Sequence, residues 1–346
     1  MIKVLFIGDP HIQVSNLPEV ELFLERLLKL VRANKPNLIV IAGDLLHTHE
    51  RLHTLALNKA YEMVDMLRKI APTYVLVGNH DLCNNQQFLT SNHWMNGMKE
   101  WENTIIVDKV EVLNIEEAKF VFAPYVPPGM FLKALNTIGN EWQNASCIFA
   151  HQEFAGCKMG AIISETGDKW SEELPLVVSG HIHSRQKIQK NIYYSGSAMQ
   201  HAFGESEKNI IPILTFSGSD YNLEEIDLEL PRKKIVYMDV ENISDYKQKQ
   251  TKDKVKLTVS GTYEEFKAVK KTKRYKELIK NGIKIVFKPK KIDRIKKVDK
   301  SFETDDTNFN MILRSLVDRE KNPYLLQSYE KIIHGKKIEI ADILIL

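Results

Sequence analysis

A chain of 346 residues, 43% hydrophobic and 27% charged, is long enough to bury a sizeable core and to divide into two or three units. No apolar run reaches the length of a bilayer span, no signal-peptide pattern precedes the first strand, and Cys83, Cys147 and Cys157 are odd in number with no C-x-x-C pair; this argues against a membrane protein, a disulfide framework or a zinc ribbon, and a reduced intracellular protein is expected. The net charge of +3 conceals an asymmetry, because residues 231–300 hold 23 Lys+Arg against 9 Asp+Glu and the rest hold 25 against 36, which suits either a polyanion partner or merely solvated helix faces.

In chain order, a strand is expected at Ile2–Ile7. Val20, Phe23, Leu24, Leu27, Leu28 and Val31 then recur at helical spacing and stop before Lys35-Pro36. A second helix is expected over Leu55–Ile70, with Tyr61, Val64 and Leu67 inward, and a strand over Thr73–Val77. This β-α-β-α-β opening implies largely parallel pairing with right-handed crossovers. The polar and aromatic stretch Asn84–Trp101 reads as a helix carrying Phe88, Trp94, Met98 and Trp101. Strands follow at Thr104–Val107, Val110–Leu113, Phe120–Ala123, Ile192–Ser195 and Ile211–Phe216, with a proline loop at Tyr125–Gly129. The character changes near Glu229, where a boundary is placed. Beyond it, strands Ile235–Val240, Lys254–Val259 and Ile283–Phe287 and a basic helix Tyr263–Lys280 make a small α+β unit. Residues 291–307 read as a charged linker, after which Phe309, Ile312, Leu313, Leu316 and Val317 form an apolar stripe at helical spacing.

Five short motifs occur in one order: Asp9-Pro10-His11, Gly43-Asp44-Leu45-Leu46-His47, Gly78-Asn79-His80-Asp81, His151 and Gly180-His181-Ile182-His183. The apolar runs Val4–Ile7, Leu38–Ala42, Tyr74–Val77, Cys147–Ala150 and Leu176–Ser179 lead into them, so each falls where a buried strand ends. Oxygen and imidazole groups would then converge on one edge of a sheet, where open α/β folds place their chemistry. Hydrolysis of a phosphodiester needs a nucleophile at neutral pH and neutralisation of phosphoryl charge, and two divalent cations supply both. Asp9 and His11, at i and i+2, can point the same way from a strand end; Asp44 is placed to bridge two cations, and Asn79 offers a neutral oxygen. Any one motif alone would be a turn or a surface histidine, and His151 is recognised only by its place after a buried strand. The joint order carries the metal reading. His49, His53, His93, His201 and His334 lack that support and read as surface or packing residues.

Over residues 1 to about 216 this ordered set resembles the calcineurin-like metallophosphoesterase superfamily. The resemblance implies a β-sandwich flanked by helices and a centre for two divalent ions, Mn²⁺ above all. Asp9, His11, Asp44 and His183 would hold one ion, and Asp44, Asn79, His151 and His181 the other. His80 would contact the scissile phosphate and protonate the leaving oxygen, with Asp81 fixing its tautomer. Asp44 is followed by Leu45-Leu46-His47-Thr48 rather than the Asp-Arg-Gly of serine/threonine phosphatases, and this resembles the DNA double-strand-break repair nucleases of the SbcD type. In that group the role of setting the phosphate for exonuclease work would fall on His47. The segment Tyr194–Glu205 is similar to the family's segment after the His-x-His motif, with Ala198 where a proline is common.

The same resemblance implies a DNA-repair exonuclease and endonuclease organised as a nuclease domain 1–230, a DNA-contacting cap 231–290, a linker 291–307 and a helical segment 308–346 that binds an SbcC-like coiled-coil ABC ATPase. It also implies a cytoplasmic, DNA-associated homodimer, and the short length resembles the compact phage or viral forms. Two other readings stay open: a small-molecule phosphodiesterase of the same fold, which would need neither the basic cap nor the C-terminal stripe, and a non-catalytic DNA-binding subunit, which would have no physical reason to keep convergent carboxylates and histidines.

Overall fold

The computed structural model describes residues 1–49, 51–247, 251–290 and 307–333. The chain runs through β1 (Ile2–Ile7), α1 (Leu17–Asn34), β2 (Leu38–Ile41), α2 (Thr54–Arg68), β3 (Thr73–Leu76) and β4 (Thr104–Val107). It continues through β5 (Glu111–Ile115), β6 (Ala118–Ala123), α3 (Phe131–Leu135), β7 (Cys147–His151), the short β8 (Lys158–Met159) and β9 (Ile162–Ile163), β10 (Val177–Gly180), β11 (Gln186–Gln189) and β12 (Ile192–Tyr194). After β13 (Ile211–Ser217) and β14 (Asp220–Ile226) come β15 (Lys233–Asp239), β16 (Lys254–Gly261), α4 (Tyr263–Val269), α5 (Lys273–Lys280) and β17 (Lys284–Pro289). A separate unit holds α6 (Thr307–Arg319) and α7 (Pro323–Ile333).

Two six-stranded sheets, ordered β14-β13-β1-β2-β3-β4 and β11-β12-β10-β7-β6-β5, stack face to face. The strands that lead into the motifs read as unbroken apolar runs because both of their faces are covered. In β1, Val4 and Phe6 enter the core between the sheets, while Leu5 and Ile7 face α1 and α2. Aromatic contacts close the sandwich, with Tyr74 and Phe122 stacked at 4.0 Å and Phe6 and Phe149 at 5.8 Å between centroids. Phe149 is fully buried, so its removal would cost about 3–5 kcal/mol. On the outside of the second sheet a third core gathers Phe131, Trp142, Phe154 and Trp170 under α3. The result is a mixed α/β sandwich with helices on both outer faces, in accord with the expected fold class.

The region after Glu229 forms a three-stranded parallel sheet, β15-β16-β17, covered on one side by α4 and α5 around Ile243, Leu257, Val259, Leu278 and Ile283. The single basic helix expected at Tyr263–Lys280 is instead two. Thr272 breaks it: its hydroxyl donates to the Val269 carbonyl at 2.7 Å and accepts from the Tyr275 N–H at 3.2 Å, which starts a new helix. The expected helix over Asn84–Trp101 is also corrected, since only Trp94–Glu100 is helical, and it is a 3₁₀ stretch. Side chains compete for the backbone there: Asn84 Oδ1 accepts from Gln86 N–H, Thr90 Oγ1 from Asn92 N–H and His93 Nδ1 from Met95 N–H.

In the separate unit α6 and α7 pack together, with Val317 and Tyr329 buried while Met311, Leu316, Tyr324 and Leu325 are exposed. The side chains of Phe309 and Ile312, the linker up to residue 306 and His334 lie outside the described residues. Among the described residues no helix is long and apolar enough to cross a membrane.

Candidate metal centre

Asp9, Asp44 and Asn79 follow β1, β2 and β3 of the first sheet, and His151 and His181 close β7 and follow β10 of the second. The motifs therefore meet across the end of the sandwich, where both sheets contribute, and not on the edge of one sheet. Chain reversal at these strand ends demands unusual backbone. Asp9, His11, Asp44 and His181 all have left-handed φ, at 30°, 44°, 49° and 78°. Such conformations are unfavourable for residues with a Cβ and persist only where the surroundings over-determine them. Glycine makes room for this packing: a Cβ on Gly78 would lie 2.2 Å from Asp44 Oδ1.

The candidate ligand atoms fall into two groups that share one carboxylate. His11 Nε2 faces His183 Nε2 at 2.9 Å and Asp44 Oδ2 at 3.5 Å. On the other side His151 Nε2 lies 3.4 Å from the same Asp44 Oδ2 and 3.0 Å from Asn79 Oδ1, which is itself 2.8 Å from His181 Nδ1. Asp9 Oδ1 accepts from the His181 N–H at 3.0 Å, and Asp44 Oδ1 from the His80 N–H at 2.8 Å, so each carboxylate keeps its second oxygen for the centre. The ring of His151 is oriented by its Nδ1–H, which donates to the Ala42 carbonyl at 2.7 Å and leaves Nε2 as the acceptor. Burial raises the Asp9 carboxyl above its ordinary value. Burial would do the same to Asp44, but His151 and His11 overcome it and hold Asp44 well below the carboxylate range. Burial disfavours a charged His151, yet Asp44 and Asp9 bring it up to about 9.

These residues fit divalent cations. Asp9 Oδ2 is buried without a hydrogen-bond partner among the described residues, and an uncompensated carboxylate oxygen in that position calls for a cation. Two carboxylates, an amide oxygen and imidazoles, with no thiolate, suit Mn²⁺, Fe²⁺ or Zn²⁺. Asp44, His151 and His181 offer ligand atoms within 4.8 Å of one another, as do His11, His47 and His80.

The remaining sequence-predicted residues sit around this set. His80 Nδ1–H donates to the His47 carbonyl at 2.7 Å, leaving Nε2 to give or take a proton. Burial lowers its pKa, against the pull of Asp44. The expectation that Asp81 fixes the His80 tautomer is corrected: Asp81 Oδ2 accepts from Gly78 N–H and Oδ1 from Trp94 Nε1–H, both at 3.0 Å, so it braces the turn instead. Burial and the neighbouring Asp44 push Asp81 up to about 7. His47 lies against the first group, its Nδ1 3.4 Å from His11 Nδ1, with its ring stacked on His80 at 5.7 Å.

Four further residues belong to the site that the sequence reading left aside. His49 stacks on His80 at 4.5 Å. His201, taken for a surface or packing residue, lies with its ring 4.9 Å from His11 and its Nε2–H donating to the Asp9 carbonyl at 2.9 Å. Burial, aided by His183, pushes it down to about 4. Glu205 Oε1 lies 3.3 Å from His183 Nδ1, while its Oε2 accepts from the N–H groups of His201 and Ala202. Although burial works against it, the His183 and Ala202 contacts hold Glu205 down at about 2. Glu153 Oε2 stands 3.9 Å from His181 Nε2. The signal for Glu205 was its place at the end of the Tyr194–Glu205 segment; Glu153, two residues after His151, gave none.

Compared with known proteins, residues 2–205 match the family model for Calcineurin-like phosphoesterase. The chain is 50% identical over 277 residues to protein 244L of Invertebrate iridescent virus 6, covering 78% of this chain and 98% of that one. It is 48% identical over 303 residues to protein 078R of Invertebrate iridescent virus 3, covering 86% of this chain and 87% of that one. Both viral proteins are named as phosphoesterases.

Proposed function

The chain belongs to the calcineurin-like phosphoesterases, and from that premise we propose that it is a nuclease that hydrolyses phosphodiester bonds of DNA with two divalent cations, most readily Mn²⁺. Asp9, His11, Asp44 and His183 would hold one cation and Asp44, Asn79, His151 and His181 the other. When bound, such cations polarise the phosphate and make water nucleophilic at neutral pH. His80 Nε2 is the group available to protonate the leaving oxygen, because its Nδ1–H is committed to the His47 carbonyl. His47 and His49 support the His80 ring from either contact.

The observation that carries DNA over a small phosphodiester is the second face of the β15-β16-β17 sheet, the one without helices. Lys256 pairs in register with Lys284, Ser260 with Lys288, and Tyr237 with Thr258 along that face. Tyr237 is 69% exposed, and Lys256 Nζ lies 5.1 Å over the ring of Phe203, in the loop that carries His201 and Glu205. A lysine-bearing surface continuous with the loop behind the metal ligands suits a long anionic substrate and is superfluous for a short one. The exposed Met311, Leu316, Tyr324 and Leu325 of the α6–α7 pair support docking of a helical segment on a coiled-coil ATPase of the SbcC kind.

Purified protein should be assayed with Mn²⁺ on linear single- and double-stranded DNA and on bis(p-nitrophenyl) phosphate, with and without a co-encoded ATPase. Degradation of DNA that stops on chelation is expected. Hydrolysis of the small diester with DNA left intact would instead favour a small-molecule phosphodiesterase.

A further inference from the structure

Between β7 and β10 the chain puts out a hairpin, β8–β9, whose tip is apolar and uncovered. Lys158 pairs with Ile163 and Met159 with Ile162 across a turn in which Gly160 adopts a φ of 64°. Ile162 is 67%, Ile163 56% and Met159 38% exposed, and none of the three enters the hydrophobic cores. Single exposed aliphatic residues need no explanation, but here the cross-strand pair Met159 and Ile162 shares one face of the hairpin and Ile163 stands on the other, so the hairpin carries exposed apolar side chains on both faces.

An isolated two-stranded hairpin is marginal in water, and this one is fastened at its base. Ser164 N–H donates to the Cys157 carbonyl at 2.9 Å and Gly156 N–H to the Ser164 carbonyl at 2.8 Å. Gln186 binds the Lys158 backbone twice, through Oε1 and Nε2. The Ser164 hydroxyl bonds Glu153, whose other oxygen faces His181. The tip is thus rooted to a metal ligand, and Lys158 and Met159 line a cleft of about 560 Å³ together with His181, His183, Phe203 and Ser206.

We propose that the β8–β9 hairpin is a wedge that parts the terminal base pairs of a DNA duplex and feeds one strand into the cleft beside the metal centre. This rests on the nuclease reading above. Aliphatic side chains such as Ile and Met are those that enter between base steps and unstack them. The occupant is chosen by its surroundings: the apolar hairpin borders a cleft that it shares with His181 and His183, Lys158 is among the residues that line it, and Lys256 lies over the ring of Phe203, which lines it too. Bases supply the apolar faces and phosphates the negative charge that such a surface matches. The ligating side chains are recessed, with those of His181 and His183 only 18% and 34% exposed, so one strand reaches them more readily than an intact duplex.

The test compares wild type with Ile162→Ser/Ile163→Ser in the full chain with Mn²⁺ on four substrates: a blunt duplex, the same duplex with a mismatched end, a single-stranded oligonucleotide and bis(p-nitrophenyl) phosphate. The variant is expected to cleave the blunt duplex at least roughly tenfold more slowly while handling the other three nearly as wild type. A 2-aminopurine placed near the blunt end should brighten with wild type and not with the variant. Equal rates on the blunt duplex would overturn the wedge. So would an equal slowing on all four substrates, which would make the hairpin a support for the metal site, or a change in oligomeric state by light scattering, which would assign the tip to a second copy. A wild type that hydrolyses the small diester but no DNA would sink the nuclease reading and this inference with it.

Discussion

The sandwich end and the cap sheet solve opposite problems with the same strand geometry. At the sandwich end every strand leading to a candidate ligand is covered on both faces, four of the candidate residues hold left-handed backbone, and their side chains meet at 2.8 to 3.5 Å. In the β15-β16-β17 sheet one face carries no helix among the described residues, the helices on the other are short, and Lys284 and Lys288 are exposed. Strain can be held only where packing over-determines the chain, so the first region is the one that suits cations needing fixed geometry. Phosphate contacts that need charge more than position suit the second.

The comparison breaks most sharply at Gly78. Gly78→Ala forces a Cβ into Asp44 Oδ1 at the shared carboxylate, so it should remove both metal binding and activity and lower stability by about 1–3 kcal/mol, readable by calorimetry. An active, metal-loaded variant would show that the packing is looser than described. Next in size, His80→Ala should cut turnover by roughly 10² to 10⁴ while leaving both cations bound, as elemental analysis can check. Loss of metal in that variant would make His80 a ligand rather than the proton donor.

Glu205→Gln tests the join between the regions, since Glu205 touches His183 while Gln200, in the same loop, exchanges hydrogen bonds with the backbone of Lys233 in β15. A fall of about 10- to 100-fold in metal affinity by titration calorimetry is expected, with the fold intact. The smallest effect belongs to the cap. Lys256→Gln with Lys284→Gln should weaken DNA binding uniformly across sequences and flatten its salt dependence by about one unit of slope per lysine, with hydrolysis of a small diester unchanged. An unaltered slope would mean that DNA does not travel over that face.

The strands and motifs at the sandwich end were legible because burial on both faces leaves an unbroken apolar run and because Asp9, Asp44, Asn79 and His181 each stand one glycine beyond such a run. What surrounds them was not. Glu153, His201 and Glu205 lie in irregular segments, where no periodicity announces a direction, and they reach the ligands only through chain reversals. Asp81 was misassigned because adjacency in sequence to His80 suggested contact, whereas the 3₁₀ turn Asn79–Asp81 points the carboxylate back at Gly78 and Trp94. The edge strand β14 also escaped, since its Asp220–Ile226 sequence is mostly polar, as an exposed edge requires. The split of the basic helix turned on a single hydroxyl, that of Thr272.

The most direct measurement of the central claim is anomalous scattering from crystals grown with Mn²⁺. Two peaks about 3.5 to 4 Å apart are expected on either side of Asp44 Oδ2, one toward Asp9, His11 and His183 and the other toward Asn79, His151 and His181. A single peak, or one lodged among His11, His47 and His80, would contradict a two-cation centre built around Asp44.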